Sequence, residues 1–256
     1  MKTHVVYFSA TYTTRAICEQ IADAWTFETQ VYDVTNDDSL QEVQIPSEDV
    51  LVMGIPVYAG RIPTMAVERL QRFKGQHTKA IAVAVYGNRD YDDALLELTD
   101  MLHANGFQVI GAGAFIARHC IFPQVATHRP DAEDKVVIDR FATRCHTLLM
   151  QDTSHLPTIQ VKGNRPYREP GKAALRPTSD EACNACGKCA RLCPTGAISL
   201  ANPPQTDNEK CIACGRCIVV CPTQSRNFRG EIYEGAAQKF NAAFGARREA
   251  EVFYLV

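Results

Sequence analysis

The sequence predicts an α/β fold: a doubly wound parallel sheet followed by a small, cysteine-rich α+β unit. Three observations lead there. The first 150 residues alternate strand-like apolar runs with helix-like periodic ones, the middle is rich in proline, and eight of the eleven cysteines fall between Cys183 and Cys221 in two copies of one motif.

The alternating stretch reads as strands at 4–8, 31–34, 50–55, 80–86 and 107–117, with helices at 13–25, 65–73, 94–105 and 132–150. Each strand leads into a helix except for a loop-like second crossover, which implies a parallel sheet covered on both faces. Residues 1–150 are therefore one domain. Across 151–179, Pro157, Pro166, Pro170 and Pro177 interrupt any period, so this is a packed linker. Residues 180–230 hold the repeat and form the second domain. The remainder, 231–256, predicts a helix over 236–244 and a strand over 252–256 that has no assigned partner.

Composition excludes several classes. A 46% apolar, 22% charged chain with a net charge of −2 is ordinary globular protein with no polyanion signal, so nucleic acid is not an expected partner. The apolar run Val5–Phe8 is too short for a signal-peptide core, and Val109–Ala117 falls short of the roughly 20 residues of a membrane span. A cytoplasmic, reducing location is expected, with the cysteines serving as metal ligands and not as disulfides. Charge divides by region. Residues 1–159 hold 13 Lys and Arg against 20 Asp and Glu, whereas 160–230 hold 11 against 5. Two units of opposite sign are suited to dock on one another.

The repeat carries the most specific chemistry. Cys183–Leu200 (CNACGKCARLCPTGAISL) superimposes on Cys211–Phe228 (CIACGRCIVVCPTQSRNF) at an offset of 28 residues. Each copy reads C-x2-C-x2-C-x3-C-P, the spacing of bacterial two-cluster ferredoxins. Three cysteines on a tight Gly-containing loop can wrap one face of a cubane, while the fourth, held by its proline, points away. Paired zinc sites are the alternative, but zinc needs neither the third cysteine nor the trailing Cys-Pro. Resemblance to two-cluster ferredoxins implies two [4Fe-4S] clusters with crossed ligands: Cys183, Cys186, Cys189 and Cys221 for one, Cys211, Cys214, Cys217 and Cys193 for the other.

Three loops follow predicted strands at the edge where open α/β sheets collect ligands. The first, Ser9-Ala10-Thr11-Tyr12-Thr13-Thr14, enters a helix, where backbone N–H groups attract a phosphate or where hydroxyls merely cap. The others are Pro56–Pro63 and Tyr86–Asp93. With these loops the chain resembles the flavodoxin-like family, and specifically fused flavodoxin–ferredoxin proteins, over essentially its whole length. That resemblance implies a flavodoxin-like sheet in the order 2-1-3-4-5 and an FMN cofactor. Ser9, Thr11, Thr13 and Thr14 would hold the phosphate, with a backbone N–H from Tyr12. Pro56, Tyr58, Gly60, Tyr86, Gly87, Asn88, Arg89 and Tyr91 would surround the ring, Tyr91 stacking on it. The loop departs from the family pattern at Tyr12 and Thr13, where flavodoxins usually have Gly and a small residue.

Other residues are weighed with the bland reading beside the sharp one. His119, in the loop Arg118–Pro123, is a candidate proton donor to a flavin or a hydrogen-bonded structural histidine, and Cys120 beside it is placed to lie between flavin and clusters. Cys18, Cys145 and Trp25 read as core. Asp90, Asp92 and Asp93 read as a helix N-terminus, Arg129-Pro130-Asp131 as a helix start with Pro in the first turn, and Arg247-Arg248 as a solvated face. No catalytic residue stands out. The expected function is electron transfer between two low-potential clusters and FMN, serving redox partner proteins. Its rivals are a flavin oxidoreductase acting on a small substrate such as a quinone, and an iron–sulfur binding or sensing module without flavin.

Overall fold

A computed structural model describes every residue except 38, 154, 172 and 173. Strands β1 (Lys2–Tyr7), β4 (Val50–Pro56), β6 (Thr78–Tyr86) and β7 (Phe107–Ile116) are buried along nearly their whole length, and β4, β6 and β7 are mostly apolar, as suits strands covered on both faces. With β2 (Glu28–Asp33) and β10 (Glu251–Tyr254) they form one sheet in the order β10-β7-β6-β4-β1-β2. Leaving β10 aside, the strands are all parallel and run 2-1-3-4-5, the flavodoxin-like winding. Helices α1 (Thr13–Asp23) and α4 (Ala132–Leu149) pack on each other and on the sheet, and α3 (Ala94–Ala104) packs on β6 and β7. A Cβ at Gly54 would sit 2.2 Å from Cys18 Sγ, so glycine in β4 is what lets α1 lie this close. Cys18 and Cys145 are buried, their thiols pushed up by burial, and Trp25 donates from Nε1 to Ala142 O at 3.0 Å. All three are core.

Several expectations are corrected. The C-terminal strand has a partner: β10 runs antiparallel to β7, Glu251 opposite Ala114 and Tyr254 opposite Gly111. Helix α7 (Glu231–Phe244) starts at Glu231, not at 236, because Glu231 and Glu234 favour the first turn and outweigh the interior Gly235. The second crossover contains β3 (Val43–Ile45), which pairs in parallel with β5 (Phe73–Gly75) after helix α2 (Thr64–Leu70). Asp131 caps α4 in a reciprocal capping box with Asp134, leaving Pro130 outside the helix. Arg247 and Arg248 are exposed, as expected of a solvated face, and both are ion-paired. Arg247 pairs with Asp131, Glu133 and Glu249, and Arg248 with Asp90.

The linker packs through polar anchors. Asp93 stands at the N-cap of α3 but makes no cap bond there; its carboxylate accepts from the backbone N–H of Asn164 at 2.8 Å and of Arg168 at 2.7 Å. Asp100 takes Arg165 and Tyr167, and Asp90 takes Lys162. The acidic cluster thus binds the linker. The second unit is closed by β8 (Thr178–Ser179) pairing with β9 (Arg226–Asn227) and carries two one-turn helices, α5 (Lys188–Arg191) and α6 (Arg216–Val219). Gly187 and Gly215 precede them at φ of 72° and 76°, conformations that glycine adopts at no steric cost. No described helix is long and apolar enough to cross a membrane.

Candidate functional site

The eight motif cysteines surround space; among the described residues, no three His, Cys, Asp or Glu groups converge as a single metal ion would require. Cys183, Cys186, Cys189 and Cys221 line one small cavity together with Pro203, Pro222 and Arg226. Three of those thiols come from the first repeat and one from the second. Cys193 crosses the other way, close enough that its charge acts on Cys211, Cys214 and Cys217. Four thiols about a cavity suit a cubane, and the second set, Cys211, Cys214, Cys217 and Cys193, lies close together as a second rim.

The rims are held from within. Arg226 is buried and donates to Pro203 O at 2.9 Å, to Thr206 Oγ1 at 2.8 Å and to Pro177 O at 3.3 Å, tying the 203–206 loop to the first rim. Backbone N–H groups of Ala197 and Ala213 point at Cys193 Sγ and Cys211 Sγ, at 3.3 and 3.4 Å. Such donors stabilise thiolate charge and tune a cluster's potential. Burial pushes the Cys214 thiol well up and Cys217 to about 12. Burial also raises Cys221, but hydrogen bonds from Ser225, Thr223 and nearby backbone outweigh it and bring that thiol down to about 6. Assembling the second rim therefore releases protons from thiols that are otherwise neutral.

The second rim docks on the sheet edge where the three ligand-loop candidates lie. Cys214 is buried in the same core as the strands. Arg216 extends from α6 beneath the first loop, donating to Ala10 O at 3.2 Å and Ser9 O at 3.5 Å, its guanidinium 4.5 Å above the Tyr12 ring. Its Nε is buried without a partner. Arg69 reaches the other way, to Pro194 O at 3.1 Å, and the Cys120 thiol approaches Ala213 O at 3.9 Å. A stacked series, Phe228, Tyr233, Phe122 and Phe240, runs from the cluster unit to His119.

The predicted phosphate loop has the features an anion needs. Tyr12 precedes α1 at φ 67° with no side-chain cap, so N–H groups of the first turn lack that partner. Ser9 is buried and accepts from the Arg15 N–H at 3.0 Å, and Thr14 is buried. Thr11 and Thr13 line a cavity of ≈ 340 Å³ with Arg118, His119, Arg129 and Gly215. The ring-side residues divide. Pro56 ends β4; Tyr58 is half-buried, its hydroxyl pushed up by burial with Cys214 and Cys120 nearby; Gly60 lies against Asp92. Tyr86 and Tyr91 meet edge to face. Tyr91 is buried, donates to Glu251 at 2.8 Å, and has Lys162 Nζ 4.9 Å over its ring. Asn88 donates from Nδ2 to Phe244 O at 2.7 Å and Ala246 O at 2.8 Å; Gly87 lies where a Cβ would strike His119; Arg89 pairs with Asp92. Asn88 and Tyr91 thus anchor the C-terminal segment.

His119 is fixed and neutral. Its Nδ1 accepts from the Ile121 and Phe122 N–H groups at 3.1 and 3.0 Å, leaving the proton on Nε2. Burial, helped by the charge of Arg89, lowers it to about 4. A second cavity, ≈ 410 Å³, lies between Tyr58, Arg61, Ile62, Met65, Arg176 and Cys211. Sequence reasoning did not single out Arg216: nothing in the motif distinguishes it from Lys188, its counterpart in the first repeat.

Fold and rims together define an iron–sulfur redox protein built on a flavodoxin-like sheet. Residues 182–225 match the family described as 4Fe-4S dicluster domain, so the chain joins that domain to the sheet. No curated protein matches. Among solved structures, the chain is similar to an archaeal flavodoxin at 18% identity over 59% of this chain and 100% of that one, TM-score 0.43. It is also similar to an NADH:FMN oxidoreductase in its apo form at 13% over 60% and 92%, TM-score 0.43. A Fusobacterium nucleatum flavodoxin bound to flavin mononucleotide is 14% identical over 58% and 99%, TM-score 0.41.

Proposed function

We propose that this chain passes electrons between its two [4Fe-4S] clusters and an FMN bound at the sheet edge, in a reducing, cytoplasmic setting. The observation that carries this reading is the docking of the second rim on the phosphate loop, through Arg216 on the carbonyls of Ser9 and Ala10 and Cys214 in the sheet core. A redox centre seated there is placed to exchange electrons with a group bound at that edge.

The residues fit the phosphate end of FMN: the N–H groups of Thr13 and Thr14 at the start of α1, Thr11 and Thr13 lining a cavity, and the orphaned Nε of Arg216. Ser9, Thr11, Thr13 and Thr14 would hold that end, and Tyr58 and Gly60 the ring end. When bound, FMN supplies the conversion between one-electron and two-electron chemistry. The chain's own part is to hold, shield and align. His119, neutral and engaged at Nδ1, keeps the 118–123 loop in place and brings no imidazolium charge to the edge at pH 7.

A second reading has one observation in its favour. The ≈ 410 Å³ cavity that reaches Cys211 offers a small acceptor such as a quinone a place beside the second rim. Anaerobic purification with iron, sulfide and flavin analysis separates the readings. About eight irons and one FMN per chain support the relay. About eight irons without flavin, even after FMN is added, contradict it and leave the acceptor pocket or a sensing role.

A further inference from the structure

The two rims share one motif but not one environment. Cys186 of the first is exposed, the one such cysteine of the eleven, whereas its repeat partner Cys214 is buried in the sheet core. Lys188 is exposed where Arg216 is buried. Arg191 is exposed, stands beside Cys186 and donates to its carbonyl at 2.8 Å. Leu200, 60% exposed, lies against Gly187. In the chain, Asp180 and Glu181 are the acidic residues that precede Cys183, and Asp180 is paired with Arg229 at 2.7 Å. An exposed cluster edge is thus flanked by two cations and one large apolar side chain.

We infer that the Cys186 edge is the port through which the chain exchanges electrons with a one-electron carrier protein that presents an acidic docking face. Charge complementarity selects that partner. Lys188 and Arg191 steer an anionic surface toward the cluster that has an exposed ligand, while Leu200 gives an apolar contact once water is expelled. Each event moves one electron: the reduced donor loses it, the cluster held by Cys183, Cys186, Cys189 and Cys221 gains it, and no bond or proton changes place. The electron passes on to the second rim, which the crossed ligands Cys193 and Cys221 stitch alongside, and so to the sheet edge. The inference rests on the relay proposed above for the last step only.

The test is stopped-flow reduction of the anaerobically reconstituted full chain by a pre-reduced acidic two-cluster ferredoxin, read as bleaching of cluster absorbance. The expected rate falls with added salt, and Lys188→Glu with Arg191→Glu lowers it about tenfold at low ionic strength. The same double variant should speed electron transfer to cytochrome c, a basic protein. Lys239→Glu, on exposed α7, is the control with an unchanged rate, and iron content confirms that each variant keeps its clusters. Equal rates and equal salt dependence for wild type and double variant overturn the inference. Cluster bleaching needs no flavin, so a flavin-free protein defeats the relay and leaves this result standing.

Discussion

Lys188 and Arg216 occupy the same place in the two halves of one repeat, yet the first is exposed and the second buried under the opposite domain. Local structure is shared in detail: Gly187 and Gly215 turn at nearly the same φ, as do Ala185 and Ala213, and Cys193 and Cys221 each meet a threonine hydroxyl two residues on at 3.6 Å. The motif therefore dictates how a rim is made, and tertiary docking dictates what the rim is for. One cluster faces outward and the other inward.

Breaking the inward rim should have the largest effect. Cys214→Ala removes a ligand and a core side chain together, so iron is expected to fall from about eight to about four per chain. A variant that keeps all its iron would show that Cys214 is not a ligand, which iron analysis reads directly. Next is the pair that defines the contrast. Arg216→Ala strips a buried cation from two carbonyls and an aromatic ring and should cost about 2–4 kcal/mol, whereas Lys188→Ala should stay within about 0.5 kcal/mol. Anaerobic guanidinium unfolding of the loaded protein compares them; equal midpoints would erase the distinction.

Asn88→Ala tests how firmly the C-terminal segment is held on the sheet edge. It leaves the Phe244 and Ala246 carbonyls without their donor, at a cost of about 1–3 kcal/mol, and should open 245–249 to limited proteolysis. Unchanged resistance would mean that β10 and the ion pairs of Arg247 and Arg248 hold the segment without Asn88. A further difference is in acid sensitivity. His119 sits low in the folded chain, at about 4, against an ordinary value near 6.5. The unfolded chain then binds the extra proton between those values, so His119's contribution is complete above about 6.5, drains as pH falls and levels off near 4. His119→Gln should flatten that part of the stability profile, and an unaltered profile would place the acid sensitivity elsewhere.

Much of this was legible in the chain. The cysteine spacing is a local property, fixed within a few residues, and it marked out the repeated motif, while the crossed ligand sets came from the resemblance to two-cluster ferredoxins. The parallel, doubly covered sheet followed from buried apolar runs separated by amphipathic helices, whose burial depends on period alone, whereas its strand order was implied by the family resemblance. What escaped depends on contacts between residues far apart in sequence. The partner of β10 is β7, more than a hundred residues upstream. Asn88 and Tyr91, read as flavin residues, have their polar groups tied to Phe244, Ala246 and Glu251. Arg216 is indistinguishable from Lys188 until the cluster unit is seated on the sheet. No window of sequence encodes that seating.

The central claim is that both clusters and a flavin belong to one electron path. Its most direct test is an anaerobic reductive titration of the purified full chain with a one-electron reductant, followed in the visible spectrum. One electron per cluster and two for the flavin give about four equivalents per chain, with the flavin bands changing only in protein that retains its clusters when the reductant is an acidic protein donor. An end point at about two equivalents, with no flavin bands at all, would contradict the account.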